Sequence, residues 1–201
     1  LIFDEIITGL RANCSSVQSI LKLNPNITTL GKCFGGGLPI GIIAIKKDIQ
    51  KKLEQKKLKV FFGGTFSGNS ISTFVGKKTV EYILLNKDKI FKKLERKFQF
   101  FEKKLKDIVS KNNINVTILN YYSMFRIVFT KKKVNNRPQR DFFEKTKSKK
   151  INLFRKFLLN KGIYYPSNGI IFLSDQTSKG DLNKILNNFK LALIKFFKSE
   201  N

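Results

Sequence analysis

Thr29-Leu30-Gly31-Lys32-Cys33-Phe34-Gly35-Gly36-Gly37-Leu38-Pro39-Ile40-Gly41 decides how the rest of the chain is read. The apolar run at residues 27–30 stops at Gly31-Lys32. Three glycines and a proline follow, and a second apolar run begins at residue 40 and continues to 45. Short apolar runs bounded by glycine and proline predict buried strands joined by a loop. A lysine directly after such a strand, against a glycine-rich loop, stands where an amine can be desolvated and act as a nucleophile. Taken alone, Lys32 reads first as a strand-end lysine whose stem lies on apolar surface while its amine stays in water.

Toward the amino end, Leu1-Ile2-Phe3 is apolar and runs into Asp4-Glu5. This predicts a strand buried on both faces of a parallel sheet, with Asp4 at its carboxyl end. Ligands of open α/β sheets gather at that end. A buried carboxylate needs a positive partner, although an aspartate at a strand end also caps turns. Because the chain starts inside an apolar strand, a further N-terminal portion is expected before Leu1. Toward the carboxyl end, Gly64-Thr65-Phe66-Ser67-Gly68-Asn69 precedes a predicted helix over residues 70–85. Small residues, hydroxyls and helix N-terminal amides suit a phosphate; the same residues also serve as ordinary helix caps.

The remaining pattern sets the architecture. Residues 15–23 predict a short helix broken near Pro25, residues 48–57 a polar helix or loop, and Val60-Phe61-Phe62 an apolar approach to Gly63. Over residues 87–109, Ile90, Phe91, Leu94, Phe98, Phe101, Leu105 and Ile108 recur at spacings of three and four, which predicts an amphipathic helix with one face in a core. Strands are then predicted at 116–119, 124–130, 163–165 and 170–173, and helices at 151–159 and 181–197. The charged stretch 131–149, containing Pro138, is expected to be an exposed loop. The fold class is α/β, followed by a small α+β part with helices on one face of a mainly antiparallel sheet. The domain limits are set at 1–85, a connecting helix at 86–110, and 111–201.

Composition narrows the function classes. The chain has 201 residues, 41% hydrophobic, so a sizeable core is possible. Lys and Arg number 40 against 14 Asp and Glu, a net charge of +26. That charge would attract nucleic acid or an anionic membrane, but it is spread over nearly every helix, so solvated faces explain it better than a specific nucleic-acid site. With no histidine and only Cys14 and Cys33, neither in a CxxC pair, zinc and disulfide frameworks are excluded and no metal site is expected. No apolar run is long enough for a membrane span.

Three segments together resemble one family. Leu1-Ile2-Phe3-Asp4-Glu5-Ile6-Ile7-Thr8-Gly9-Leu10-Arg11 resembles the Asp-Glu-Val-x-Thr-Gly-Phe-Arg segment of the class III aminotransferases. Thr29 to Gly41 is similar to their Leu-Gly-Lys-x-x-Gly-Gly-Gly-x-Pro-x-Gly segment, and Gly64 to Asn69 to their Gly-Thr-x-Ser-Gly-Asn-Pro segment, in the same order. Ser123-Met124-Phe125, Val128-Phe129-Thr130 and Gly162-Ile163-Tyr164 continue the match more loosely. The resemblance covers almost the whole chain and is most specific in its first third.

The resemblance implies the C-terminal half of a fold-type I transferase dependent on pyridoxal 5′-phosphate: part of the large-domain sheet, then a small α+β C-terminal domain. It implies that Lys32 holds the cofactor as a Schiff base and moves the substrate's α-proton. Asp4 would pair with the pyridine nitrogen, Ile6 would pack on the ring, and Gly64 and Thr65 would bind the phosphate, Thr65 reaching across a dimer interface into the partner's site. It further implies a cytoplasmic homodimer with shared sites, or a plastid protein in a photosynthetic eukaryote, acting on an amino acid, an amino sugar or a semialdehyde. Some positions depart from the family. Pro166-Ser167 leads into Asn168-Gly169-Ile170-Ile171-Phe172 instead of a Phe-Glu-Ala-Gly-Phe segment, Asp175-Gln176-Thr177 replaces Ala-His-Thr, and Ser70 replaces a proline. The first two lie on the substrate side, where an aminotransferase and a semialdehyde aminomutase of the same family part ways. The expected activity is aminotransfer, with the aminomutase as the alternative. A basic nucleic-acid-binding module and a decayed fragment without activity are the readings from outside enzymology.

Overall fold

The computed structural model describes residues 1–12, 16–55 and 63–198, so Cys14 and the Val60-Phe61-Phe62 segment lie outside the described residues. It divides into two compact units, Leu1–Phe91 and Lys92–Asn201.

The first unit runs β1 (Ile2–Asp4), α1 (Val17–Ile20), β2 (Ile27–Gly31), a 3-10 turn (Lys32–Gly35), β3 (Gly41–Ile45), α2 (Lys47–Gln55) and α3 (Ser70–Leu85). Its sheet has the order β1-β2-β3. β1 and β2 are parallel, with Asp4 opposite Thr29, whereas β2 and β3 are antiparallel, with Gly31 opposite Gly41. Antiparallel pairing is what the short glycine-rich connection permits, since a parallel return needs a longer crossover. The loop lies close to α3. A Cβ at Gly36, whose φ is +60°, would stand 2.1 Å from Thr79 Oγ1, and one at Gly76 would stand 2.8 Å from the Phe34 carbonyl oxygen. Two glycines facing each other's element therefore set the approach of loop to helix.

Two expectations need correcting in this unit. β1 is a strand, but it is not buried on both faces: Leu1 and Ile2 are each 66% exposed, with too little packed over the faces of this sheet to cover them. The helix expected over 15–23 shrinks to the four residues of α1. α1 is held from outside by Glu5, which is fully buried and accepts the Val17 amide at 3.1 Å and the Gln18 amide at 2.7 Å, together with the Thr8 hydroxyl. A buried carboxylate is stable here because each oxygen has a donor.

α4 (Lys87–Lys111) contains the boundary between the units. The second unit continues with β4 (Thr117–Tyr121), β5 (Met124–Val128), α5 (Arg137–Lys145), α6 (Ser148–Asn160), β6 (Ile170–Phe172) and α7 (Lys179–Phe197). Its sheet is antiparallel throughout, in the order β4-β5-β6, as the α+β expectation requires. Phe101 and Leu105 of α4, Ile127 of β5, Phe154 and Leu158 of α6 and Phe189 and Leu193 of α7 are almost wholly buried in one core. Phe154 lies at its centre, with ring centroids 5.2 Å from Tyr165, 5.5 Å from Phe129, 5.9 Å from Phe189 and 6.0 Å from Phe197. Burying one such ring stabilises the fold by about 2–3 kcal/mol.

The stretch 131–149 is not a continuous loop, since it holds α5 and the start of α6. Pro138 starts α5 instead of breaking it. It occupies the first turn, where its missing N–H has no partner to lose, and the Asn136 side chain accepts the Gln139 amide at 3.0 Å. Residues 163–165 do not form a strand. The Ile163 amide donates to the Leu158 carbonyl and the Gly162 amide to the Leu159 carbonyl, each at 2.9 Å, closing α6 in a Schellman turn.

Candidate active site

All five residues singled out from the sequence lie in the first unit. Lys32 opens the 3-10 turn immediately after β2, and its side chain is exposed. Its backbone is left-handed, with φ at +52°, a conformation that costs a residue with a Cβ about 1 kcal/mol.

Lys32 shares one cavity of about 760 Å³ with Gly64 and Thr65. Leu38, Pro39 and Ile40 from the glycine-rich loop give it an apolar wall, and Ser67, Asn69, Ser72 and Thr73 add polar groups. Ser72 and Thr73 belong to the first turn of α3, and Asn69 caps that helix by accepting the Ser72 amide at 3.0 Å. The positive end of a sixteen-residue helix thus abuts the cavity. Lys32 is the sole charged residue among the described ones lining it. An amine, several hydroxyls and a helix N-terminus in one water-accessible hollow suit a ligand with an electrophilic carbonyl and a phosphate.

Asp4 and Ile6 do not line that cavity. They sit at the carboxyl end of β1, beside the end of β2 from which Lys32 departs. Asp4 is exposed, and its Oδ1 accepts the Ile6 amide at 2.9 Å and the Thr29 hydroxyl at 3.1 Å. Ile6 is 36% exposed and lies against Gly31, where an added Cβ would be 3.9 Å from its Cγ2. The parallel register of β1 and β2 therefore brings an acid, an apolar side chain and the lysine to neighbouring strand ends. Sequence reasoning singled out the phosphate-type segment from Gly64 to Asn69 but assigned no part to Ser72 or Thr73. Helical spacing from the cap at Asn69 could have found Ser72 and Thr73. Nor did it assign one to Thr29, whose partnership with Asp4 depends on strand register.

Comparison with known proteins agrees with this arrangement. The sequence model of the family described as Aminotransferase class-III matches residues 1–173. The glutamate-1-semialdehyde 2,1-aminomutase of Methanobrevibacter smithii is 33% identical over 202 residues, which cover 100% of this chain and 46% of that protein. Its counterpart in Nitrosopumilus maritimus is 36% identical, over 96% of this chain and 45% of that protein. The chain thus spans less than half the length of these relatives. Among solved structures, a glutamate-1-semialdehyde-aminomutase from Pseudomonas aeruginosa in complex with PMP superimposes with a TM-score of 0.82 at 16% identity, over 98% of this chain and 45% of that one. An omega-transaminase from Sphaerobacter thermophilus gives 0.80 at 22% identity, over 96% and 43% respectively. At these identities the structures speak to fold alone, and they bear out the fold-type I expectation. With a family match over most of its length and the fold to go with it, the chain belongs to the class III aminotransferases.

Proposed function

We propose that this chain carries the cofactor lysine of a pyridoxal 5′-phosphate-dependent aminotransferase, acting on a small amino acid or amino sugar. One observation carries the reading: the parallel register of β1 and β2 brings Asp4 and Ile6 beside the strand end from which Lys32 departs. The donor set fits the cofactor, offering an amine for its aldehyde, hydroxyls and amides for its phosphate, and a carboxylate for its ring nitrogen. Lys32 would hold the cofactor through its aldehyde, and its amine would take and return the proton at the substrate's α-carbon. Asp4 pairs with the ring nitrogen, Ile6 packs on the ring face, and Gly64 and Thr65 hold the phosphate. When bound, pyridoxal phosphate supplies the electron sink for the charge that develops at that carbon.

In the same reading, residues 1–85 form part of the cofactor-binding domain, 86–110 a connecting helix and 111–201 the small C-terminal domain. The working unit is a cytoplasmic homodimer with shared sites. Phe66, 81% exposed next to Thr65, offers apolar surface to a partner subunit. Among the described residues no helix is long and apolar enough to cross a membrane.

A second reading is intramolecular amino transfer on glutamate 1-semialdehyde. It is favoured by the relatives bearing that name at 33% and 36% identity. Two measurements decide. Borohydride treatment of the cofactor-loaded full-length protein is expected to fix the label on Lys32, and Lys32→Ala is expected to abolish the label and the visible absorbance. Retention of both would refute the central assignment. Conversion of the semialdehyde without an added amino donor selects the mutase, whereas a strict need for a donor selects the aminotransferase.

A further inference from the structure

Asp4 is exposed, and a short carboxylate at a strand end is free to change rotamer unless something holds it. Two donors converge on its Oδ1. The bond from the Ile6 amide, at 2.9 Å, is the local kind that an aspartate makes two residues ahead of itself. The bond from the Thr29 hydroxyl, at 3.1 Å, is of another kind. It spans 25 positions of sequence and exists only because the parallel register sets Asp4 opposite Thr29.

The two threonines of β2 divide the labour by strand alternation. Thr28 is buried and donates its hydroxyl to Gln18 Oε1 at 2.8 Å, tying the sheet to α1. Thr29 turns the other way and donates to Asp4. Gly31, two residues further on that same side, lies against Ile6. Thr29 is thus the register partner of the proposed ring-nitrogen acid and stands three residues before the proposed cofactor lysine. A β-branched residue is stiff at χ1 in a strand, so its hydroxyl holds one direction.

We propose that Thr29 is a positioning residue for Asp4: its hydroxyl ties down Oδ1 and leaves Oδ2, in one orientation, for the ring nitrogen of the cofactor. Thr29 itself touches neither cofactor nor substrate, and the proposal rests on the function proposed above. Valine has the same shape without the donor, and serine keeps the donor on a looser stem.

The test titrates pyridoxal phosphate into the full-length protein and its Thr29→Val, Thr29→Ser, Asp4→Ala and Thr29→Val/Asp4→Ala variants. Visible absorbance follows binding, and circular dichroism checks that each is folded. Loss of one hydrogen bond to a charged group is expected to weaken cofactor binding about tenfold in Thr29→Val. Thr29→Ser is expected to stay within about twofold of the wild type. On the Asp4→Ala background, Thr29→Val is expected to add less than about twofold, since a residue acting through Asp4 has nothing left to act on. Wild-type affinity in Thr29→Val, or the whole loss recurring without Asp4, would overturn the proposal. If Thr29→Val does not fold, Thr29→Ala carries the same comparison. A wild type that takes up no cofactor brings down the functional reading and this inference together. Uptake with borohydride capture at Lys32 upholds the reading and leaves the Thr29 variants to decide the inference alone.

Discussion

The two units of this chain differ in how much apolar surface they bury. In the second unit, rings and aliphatic side chains from α4, β5, α6 and α7 close one continuous core around Phe154. In the first unit, the buried side chains among the described residues are only Ala12, Pro25 and the polar Glu5, Ser16 and Thr28. Ile43, Phe66, Ile71, Phe74 and Leu85 all lie more than half exposed. Yet the first unit holds every candidate site residue. The continuous apolar core and the candidate site residues therefore lie in different units of this chain.

The separation can be broken experimentally. The largest effect is expected from Phe154→Ala, which deletes a fully buried ring and should lower unfolding free energy by about 3–5 kcal/mol in urea titration. Borohydride capture at Lys32 should persist in the folded fraction; if it vanishes in parallel, the two units are not energetically distinct. Arg126→Ala comes next. Arg126 Nη2 lies 2.6 Å from Glu144 Oε2, both side chains are mostly buried, and Arg126 also donates to the Asn168 carbonyl. Removing the arginine strands a carboxylate and should cost about 3 kcal/mol, most of it recovered in Arg126→Met/Glu144→Leu. The smallest effect concerns acid. Asp181 holds the capping box of α7, and hydrogen bonds from Ser178 hold its pKa below the ordinary 3.8. A depressed carboxyl contributes stability above 3.8 that is lost as pH falls through its folded value. The thermal midpoint of wild type should therefore fall more steeply than that of Asp181→Asn below about pH 4.

What could be read in advance follows the same division. The long amphipathic helix was legible because Phe98, Phe101 and Leu105 recur at helical spacing, a signal that needs no knowledge of partners. Lys32, Asp4 and Thr65 were singled out together through the resemblance of the segments around them, and the structure places Lys32 and Thr65 on one cavity and Asp4 outside it. The exposure of β1 was not, since an apolar run reads as buried whether or not anything covers it. α5 was missed because Pro138 carries opposite meanings in the first turn and in the interior of a helix, and only the Asn136 cap distinguishes them. The partnership of Thr29 with Asp4 was invisible because register is a property of two strands.

The left-handed backbone at Lys32 also bears on how this position can change over evolutionary time. Glycine adopts that conformation with no Cβ to accommodate, so the backbone at 32 would be at least as stable with the residue that removes the amine. In the function proposed above, it is the chemistry of the amine and not the fold that keeps a lysine at this position.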